Sequence, residues 1–236
     1  YTPNFNRIEN AISAKTKMIV INNPHNPTGR IWTEQDFEAL ETILEKHPQI
    51  LILGDEVYEY ITFSQPHISF NTRPKLVERT IIASSFGKSL HVTGWKVGYL
   101  IAPENLMFEM KKVHQFLVFS VNSFSQHAIS EYLDVVDFSE VSKMYQRKRD
   151  LFQNLIKDSR FELMPCDGTY FQVVNYNQIS NKNDVDFAKE LIVNHGVASI
   201  PISVFYNDNT DRHMLRFCFA KTDETLIVAA EKLCSI

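Results

Sequence analysis

The chain has 236 residues, 44% of them hydrophobic and 22% charged, a balance that excludes collagen-like repeats, coiled coil and extended disorder and implies a soluble globular fold. Its formal net charge of -4 offers no field to draw nucleic acid or an anionic membrane surface, so an anionic ligand has to be held by local groups. Cys166, Cys218 and Cys234 show neither CxxC nor Cys/His zinc spacing, which implies reduced thiols in a cytoplasmic protein and no metal site.

The sequence begins at Tyr1 with neither an initiator Met nor a signal pattern, so we expect the carboxyl-terminal part of a longer polypeptide, whose sheet presents an open edge or face. Residues 17–23, KMIVINN, read as a buried strand that ends in the turn-rich PHNPTG. Thr33 then has the chemistry of an N-cap, with acidic residues in the first turn and Phe37, Leu40, Ile43 and Leu44 at helical spacing. QILILGDE, RTIIASSF and KVGYLIAP are further apolar strand runs, and the alternation with helix predicts an α/β sheet of mostly parallel strands. From residue 104 to about 158 the pattern is mainly helical, without a sequence longer than a membrane span's ~18 apolar residues. Beyond lie short strands at FELMP and TYFQVVNY, a helix at DVDFAKELIVNHG capped by Gly196, a strand at HMLRFCFAK and a last helix from about Asp223. This second, smaller unit is α+β. The expected division is 1–135 for the sheet domain and 136–236 for the small domain.

PHNPTG, DEVYEY and SSFGK each follow an apolar strand, and ligands of open α/β sheets bind beyond the carboxyl ends of the strands. Asn26, Asp55, Tyr58, Ser85 and Lys88 therefore share one expected address. Lys88 has three possible readings: a phosphate-loop lysine, a covalent cofactor lysine or a solvated side chain. A phosphate loop needs a glycine five residues before Gly87, where Ile82 stands, and its acidic strand normally follows the loop whereas Asp55 precedes Lys88. A lysine that carries pyridoxal phosphate needs an acid against the pyridinium nitrogen, donors on the phenolic oxygen and polar or cationic groups on the phosphate. Asp55, then Tyr58 with Asn26, then Ser85 with Lys96, are residue types that suit these places.

NNPHNPTG, DEVYEY, SSFGKSLHVTGWKVGY and HMLRFCFAK together, in this order, resemble the signatures of class I and II aminotransferases of pyridoxal-phosphate fold type I. The likeness covers essentially the whole chain, and Lys96 in GWKVG, where many members have Arg, is similar to the methionine, kynurenine and glutamine aminotransferase branch. The resemblance implies that pyridoxal 5'-phosphate is the cofactor, that Lys88 holds it covalently and carries the proton, and that Asp55 keeps its ring nitrogen protonated. It also implies that Tyr58 and Asn26 bind the phenolic oxygen, that Ser85 and Lys96 contact the phosphate, and that Arg216 clamps the substrate carboxylate as a bidentate partner. The expected activity is transfer of an amino group from a neutral amino acid to a 2-oxo acid by a homodimer. The alternatives are a carbon–sulfur β-lyase using the same cofactor and a non-catalytic regulatory domain of the same fold.

Four neighbours of the motifs carry blander expectations. Glu56 and Glu59 are expected as solvated charges, because the cofactor needs one acid, and His25 and His91 as structural or supporting groups. Phe119 is a candidate pocket wall, across a dimer interface or in the core.

Overall fold

The computed structural model describes residues 1–236. Two compact units divide the chain: Tyr1–Pro24, Ile31–Tyr60 and Pro66–Phe138 form the first, and His25–Arg30, Ile61–Gln65 and Ser139–Ile236 form the second.

In the first unit, helix α1 (Phe5–Ala11) is capped by Asn4, whose side-chain oxygen accepts the Arg7 N–H. Strand β1 (Met18–Asn22) leads to helix α2 (Glu34–Glu45), which starts where the sequence predicts. The Thr33 hydroxyl accepts the Asp36 N–H while the Asp36 carboxylate accepts the Thr33 N–H, a reciprocal capping box. Phe37, Leu40, Ile43 and Leu44 are all buried, and Phe37 packs edge-on against Phe70 at 4.8 Å between ring centroids.

Strands β2 (Leu51–Asp55), β3 (Thr80–Ser85) and β4 (Gly98–Ile101) complete a sheet of order β1-β2-β3-β4. β1, β2 and β3 are parallel, with Asn22 opposite Asp55 and Asp55 opposite Ala83, so their carboxyl ends finish along one edge. β4 is antiparallel to β3. The connection between them holds only the four-residue helix α3 (Phe86–Ser89) and one 3-10 turn, too little helix for a parallel crossover. Gly98 permits the pairing, because a Cβ there would lie 2.5 Å from the Ser84 carbonyl oxygen.

Helices α4 (Glu104–Leu117) and α5 (Ser123–Leu133) follow, and α6 (Phe138–Ile156) starts at the last residue of this unit. The run between 104 and 158 is thus three helices, and Asn122 explains one break: its side-chain oxygen accepts the Ser125 N–H as the N-cap of α5. Phe116, Phe119 and Phe124 are each more than four-fifths exposed, so Phe119 is not a core residue of this unit. On β1, the sheet's edge strand, Val20 is 64% exposed where a strand with both faces covered would bury it.

The second unit is built on strands β5 (Glu162–Leu163), β6 (Phe171–Asn175), β7 (Ile200–Pro201) and β8 (Met214–Cys218), in the order β5-β6-β8-β7 and antiparallel throughout. β7, too short to show alternation, has no sequence signal. Helix α7 (Asp184–Glu190) continues into a π turn that Gly196 closes, and helix α8 (Asp223–Cys234) ends the chain. Phe217 of β8 meets Phe152 of α6 at 6.0 Å and Phe161 at 6.1 Å, while Leu226, Ala230 and Leu233 of α8 are buried. No helix of either unit is long and apolar enough to cross a membrane.

Two predictions separate cap from core. Thr33→Ala removes one cap and is expected to cost about 1 kcal/mol. Phe37→Ala empties a fully buried site and is expected to cost about 3–5 kcal/mol. Denaturant unfolding of the full-length protein measures both, and an equal loss from the two would contradict the packing described.

Candidate active site

In the first unit the carboxyl ends of the parallel strands are stitched together by their backbones. The Asp55 carbonyl accepts both the Asn23 N–H and the Asn22 side-chain amide at 3.0 Å, and the Glu56 N–H donates to the Ala83 carbonyl at 2.8 Å. The Asp55 side chain is half-buried, and burial raises its pKa above the ordinary carboxylate value, against the opposing influence of the Val57 N–H and of Lys88. The turn that follows buries Tyr58, and the Lys88 amine lies 5.9 Å from the centre of the Tyr58 ring.

Lys88 reaches this place because β3 runs straight into α3. Ser85 caps that helix, its hydroxyl accepting the Gly87 N–H at 3.1 Å and facing the Val97 carbonyl at 3.5 Å. Lys96, next to Val97, is exposed and left-handed at φ 57°. Asp55, Tyr58, Ser85 and Lys88 therefore converge in one unit, with Lys96 on the adjoining turn. His91 is exposed and left-handed at φ 59°, and desolvation lowers its pKa.

The other two candidates belong to the second unit, where they meet each other. Arg216 of β8 donates through Nη1 to the Asn26 side-chain oxygen at 2.5 Å. Its guanidinium also lies 3.9 Å from the centre of the Phe171 ring and 5.4 Å from that of Phe205, both within cation–π range. The Asn26 turn is held by the second unit's own backbone: the Asp167 and Gly168 N–H groups both donate to the Gly29 carbonyl. Gly29 has φ 71°, and a Cβ there would lie 3.0 Å from the Gly168 oxygen and 3.3 Å from the Cys166 sulfur, so a larger residue would displace the turn. His25 is tied to the Thr28 hydroxyl at 2.8 Å, and burial, with help from Arg30, lowers its pKa.

Two expectations fail. Glu56 is 1% exposed rather than solvated: one carboxylate oxygen accepts the Phe70 N–H and the other faces His67 Nε2, each at 2.8 Å. Glu59 is partly buried, and its Oε1 accepts hydrogen bonds from Ser84 and Tyr99. Both partners are distant in sequence, so nothing local distinguishes these glutamates from surface charges. Phe171 and Phe205 were equally invisible. Phe171 shares a sheet face with Val173, the residue opposite Arg216, but only the pairing of β6 with β8 reveals it.

The family pattern described as aminotransferase class I and II matches residues 1–233. The chain belongs to the class I and II aminotransferases. It is 44% identical to the methionine aminotransferase of Escherichia coli over 94% of its own length and 58% of that protein's. It is 34% identical to a kynurenine–oxoglutarate transaminase of Dictyostelium discoideum, over 94% and 57% of the two chains. A crystal structure of an Escherichia coli protein with methionine aminotransferase function superposes with a TM-score of 0.96 at 42% identity, covering all of this chain and 62% of that one. N-succinyldiaminopimelate aminotransferase from Mycobacterium tuberculosis superposes with a TM-score of 0.92 at 28% identity, over 99% and 62% of the two chains. The chain thus spans less than two thirds of the length of these relatives.

Class I and II aminotransferases depend on pyridoxal phosphate. The first unit's residues suit that group: the half-buried Asp55 carboxylate calls for a cationic or N–H partner, and a primary amine stands against a buried tyrosine beside it. No cluster of His, Cys, Asp or Glu is placed to hold a metal ion.

The raised pKa of Asp55 has a consequence for stability. A carboxyl group whose folded pKa exceeds its unfolded value, near 3.9 for Asp, contributes stability that is fully present below the unfolded pKa and lost as pH rises through the folded one. At neutral pH the ionised Asp55 therefore destabilises protein free of cofactor. Asp55→Asn is expected to raise the melting temperature of the cofactor-free full-length protein at pH 7, with the gain shrinking below about pH 4. A gain that grew on acidification would have the wrong sign.

Proposed function

We propose that the protein is a pyridoxal-phosphate-dependent aminotransferase that moves the amino group of a neutral amino acid, methionine foremost, to a 2-oxo acid. The observation that carries this reading is the convergence of Asp55, Tyr58 and Lys88 at the carboxyl ends of β2 and β3, in a chain of the aminotransferase family. In this reading residues 1–135 are the carboxyl-terminal part of the large cofactor-binding domain and 136–236 the small domain.

Pyridoxal phosphate, when bound, supplies a carbonyl carbon for the amino group and a ring that accepts the electron pair released at the substrate Cα. Lys88 would hold the cofactor covalently through its amine and would serve as the base that takes the substrate Cα proton and returns it. Asp55 would sit against the ring nitrogen and favour its protonated form. Tyr58 and Asn26 orient the phenolic oxygen, and Ser85 and Lys96 hold the phosphate. Arg216 takes the substrate carboxylate by two parallel N–H donors, and its contacts with Phe171, Phe205 and Asn26 support a pre-oriented guanidinium.

The 44% identity to a methionine aminotransferase supports a sulfur-containing substrate. So does the stretch from Gln115 to Glu131, which has no Lys or Arg to receive a second carboxylate. The exposed aromatic residues Phe116, Phe119 and Phe124 suit a homodimer interface, with Phe119 there as a pocket wall. The three cysteines form no disulfide, which suits a cytoplasmic enzyme.

Turnover of the full-length enzyme tests the reading directly. Lys88→Ala is expected to abolish transamination with the fold intact, as judged by circular dichroism, and near-native turnover would refute the covalent role. Arg216→Ala is expected to lower kcat/KM for amino acids by the equivalent of about 1.5–3 kcal/mol while cofactor retention stays unchanged. Methionine, glutamine and phenylalanine are expected to outperform aspartate. Release of free ammonia and thiol alongside the 2-oxo acid, with no amino group passed to an acceptor 2-oxo acid, would identify a β-lyase instead.

A further inference from the structure

Glu59 is the acceptor on which three elements of the first unit meet. Its Oε1 receives the Ser84 hydroxyl at 2.5 Å and the Tyr99 hydroxyl at 2.8 Å. Ser84 is buried on β3, directly before the Ser85 cap of the helix that carries Lys88, and Tyr99 stands opposite Ser84 on β4. Glu59 itself sits in the turn after β2, one residue beyond Tyr58, with its N–H on the Glu56 carbonyl at 2.9 Å. A single carboxylate oxygen thus joins the Tyr58 turn to the strand end that delivers Lys88.

The geometry points to Glu59 as a positioning residue that holds Tyr58 against Lys88, a role that rests on the aminotransferase reading above. One carboxylate oxygen serves both hydroxyl groups, and removing it leaves a buried serine and a half-buried tyrosine without that shared acceptor. The turn then loses its tie to β3 and β4, while Tyr58 and Lys88 keep their identities and lose their spacing. Displacements of about 1 Å in a reacting constellation carry large rate penalties, which is why a residue outside the chemistry can matter to it.

The test uses the full-length enzyme and two readouts. In cofactor-free protein, hydrogen exchange at residues 56–60 is expected to quicken about 10-fold in Glu59→Ala and to stay within about 3-fold of wild type in Glu59→Gln, which keeps an acceptor oxygen. In absorbance titrations with pyridoxal phosphate, Glu59→Ala is expected to weaken binding about 10-fold and Ser84→Ala, which removes one donor, about 3-fold. On a Tyr58→Phe background both effects should fall within about 2-fold, because Glu59 acts through Tyr58. Additive losses in the double variants, or unchanged exchange in Glu59→Ala, would overturn the role of Glu59 alone. Wild-type protein that takes up no pyridoxal phosphate would overturn the aminotransferase reading and the positioning role with it.

Discussion

The parallel register of β1, β2 and β3 is the constraint from which the first unit's chemistry derives. Because Asn22, Asp55 and Ala83 lie side by side, every chain segment leaving these strands leaves from the same edge. Ligands of open α/β sheets bind at such edges because strand carboxyl ends and loop side chains converge there without interrupting the core. The apolar bodies of the strands provide the rigidity: Ile52 and Ile82 are buried with Phe37, Leu40 and Phe70 in one cluster. The pair proposed to handle protons, Asp55 and Lys88, needs fixed spacing, and a close-packed support is what maintains it.

Around that edge the carboxylates are distributed by environment. Asp55 is half-buried and held by one backbone N–H, a setting that leaves its charge poorly compensated. Glu56, the next residue, points the other way and binds Phe70 and His67. Glu59 binds two hydroxyl groups. Three acids within five residues thus face three kinds of partner, and the one whose partner is least complete is the one proposed to meet the cofactor. Stability is given up where chemistry needs an unsatisfied charge, and the adjoining acids supply ties that keep the turn in place.

The second unit solves a different problem, that of holding a cation. Arg216 stands on a central strand of an antiparallel sheet, between two aromatic rings and an amide oxygen. Aromatic faces and an amide oxygen orient the guanidinium. The Asn26 turn belongs to this unit although its neighbours in sequence belong to the other, because the Asp167 and Gly168 N–H groups grip the Gly29 carbonyl.

The sequence by itself determined the elements whose signals are local: the apolar runs of β1, β2 and β3, the capping box at Thr33, the helical face from Phe37 to Leu44 and the left-handed Gly196. Four ordered motifs also sufficed for a resemblance to the family, which the family match over residues 1–233 bears out. The tertiary structure alone decided the antiparallel return of β4, the burial of Glu56, the Glu59 bridge and the aromatic flanks of Arg216. The physical reason is separation along the chain. Propensity and periodicity act over a few residues, whereas Glu59 meets Tyr99 forty residues away and Arg216 meets Asn26 at a separation of 190, contacts that exist only once strands have paired.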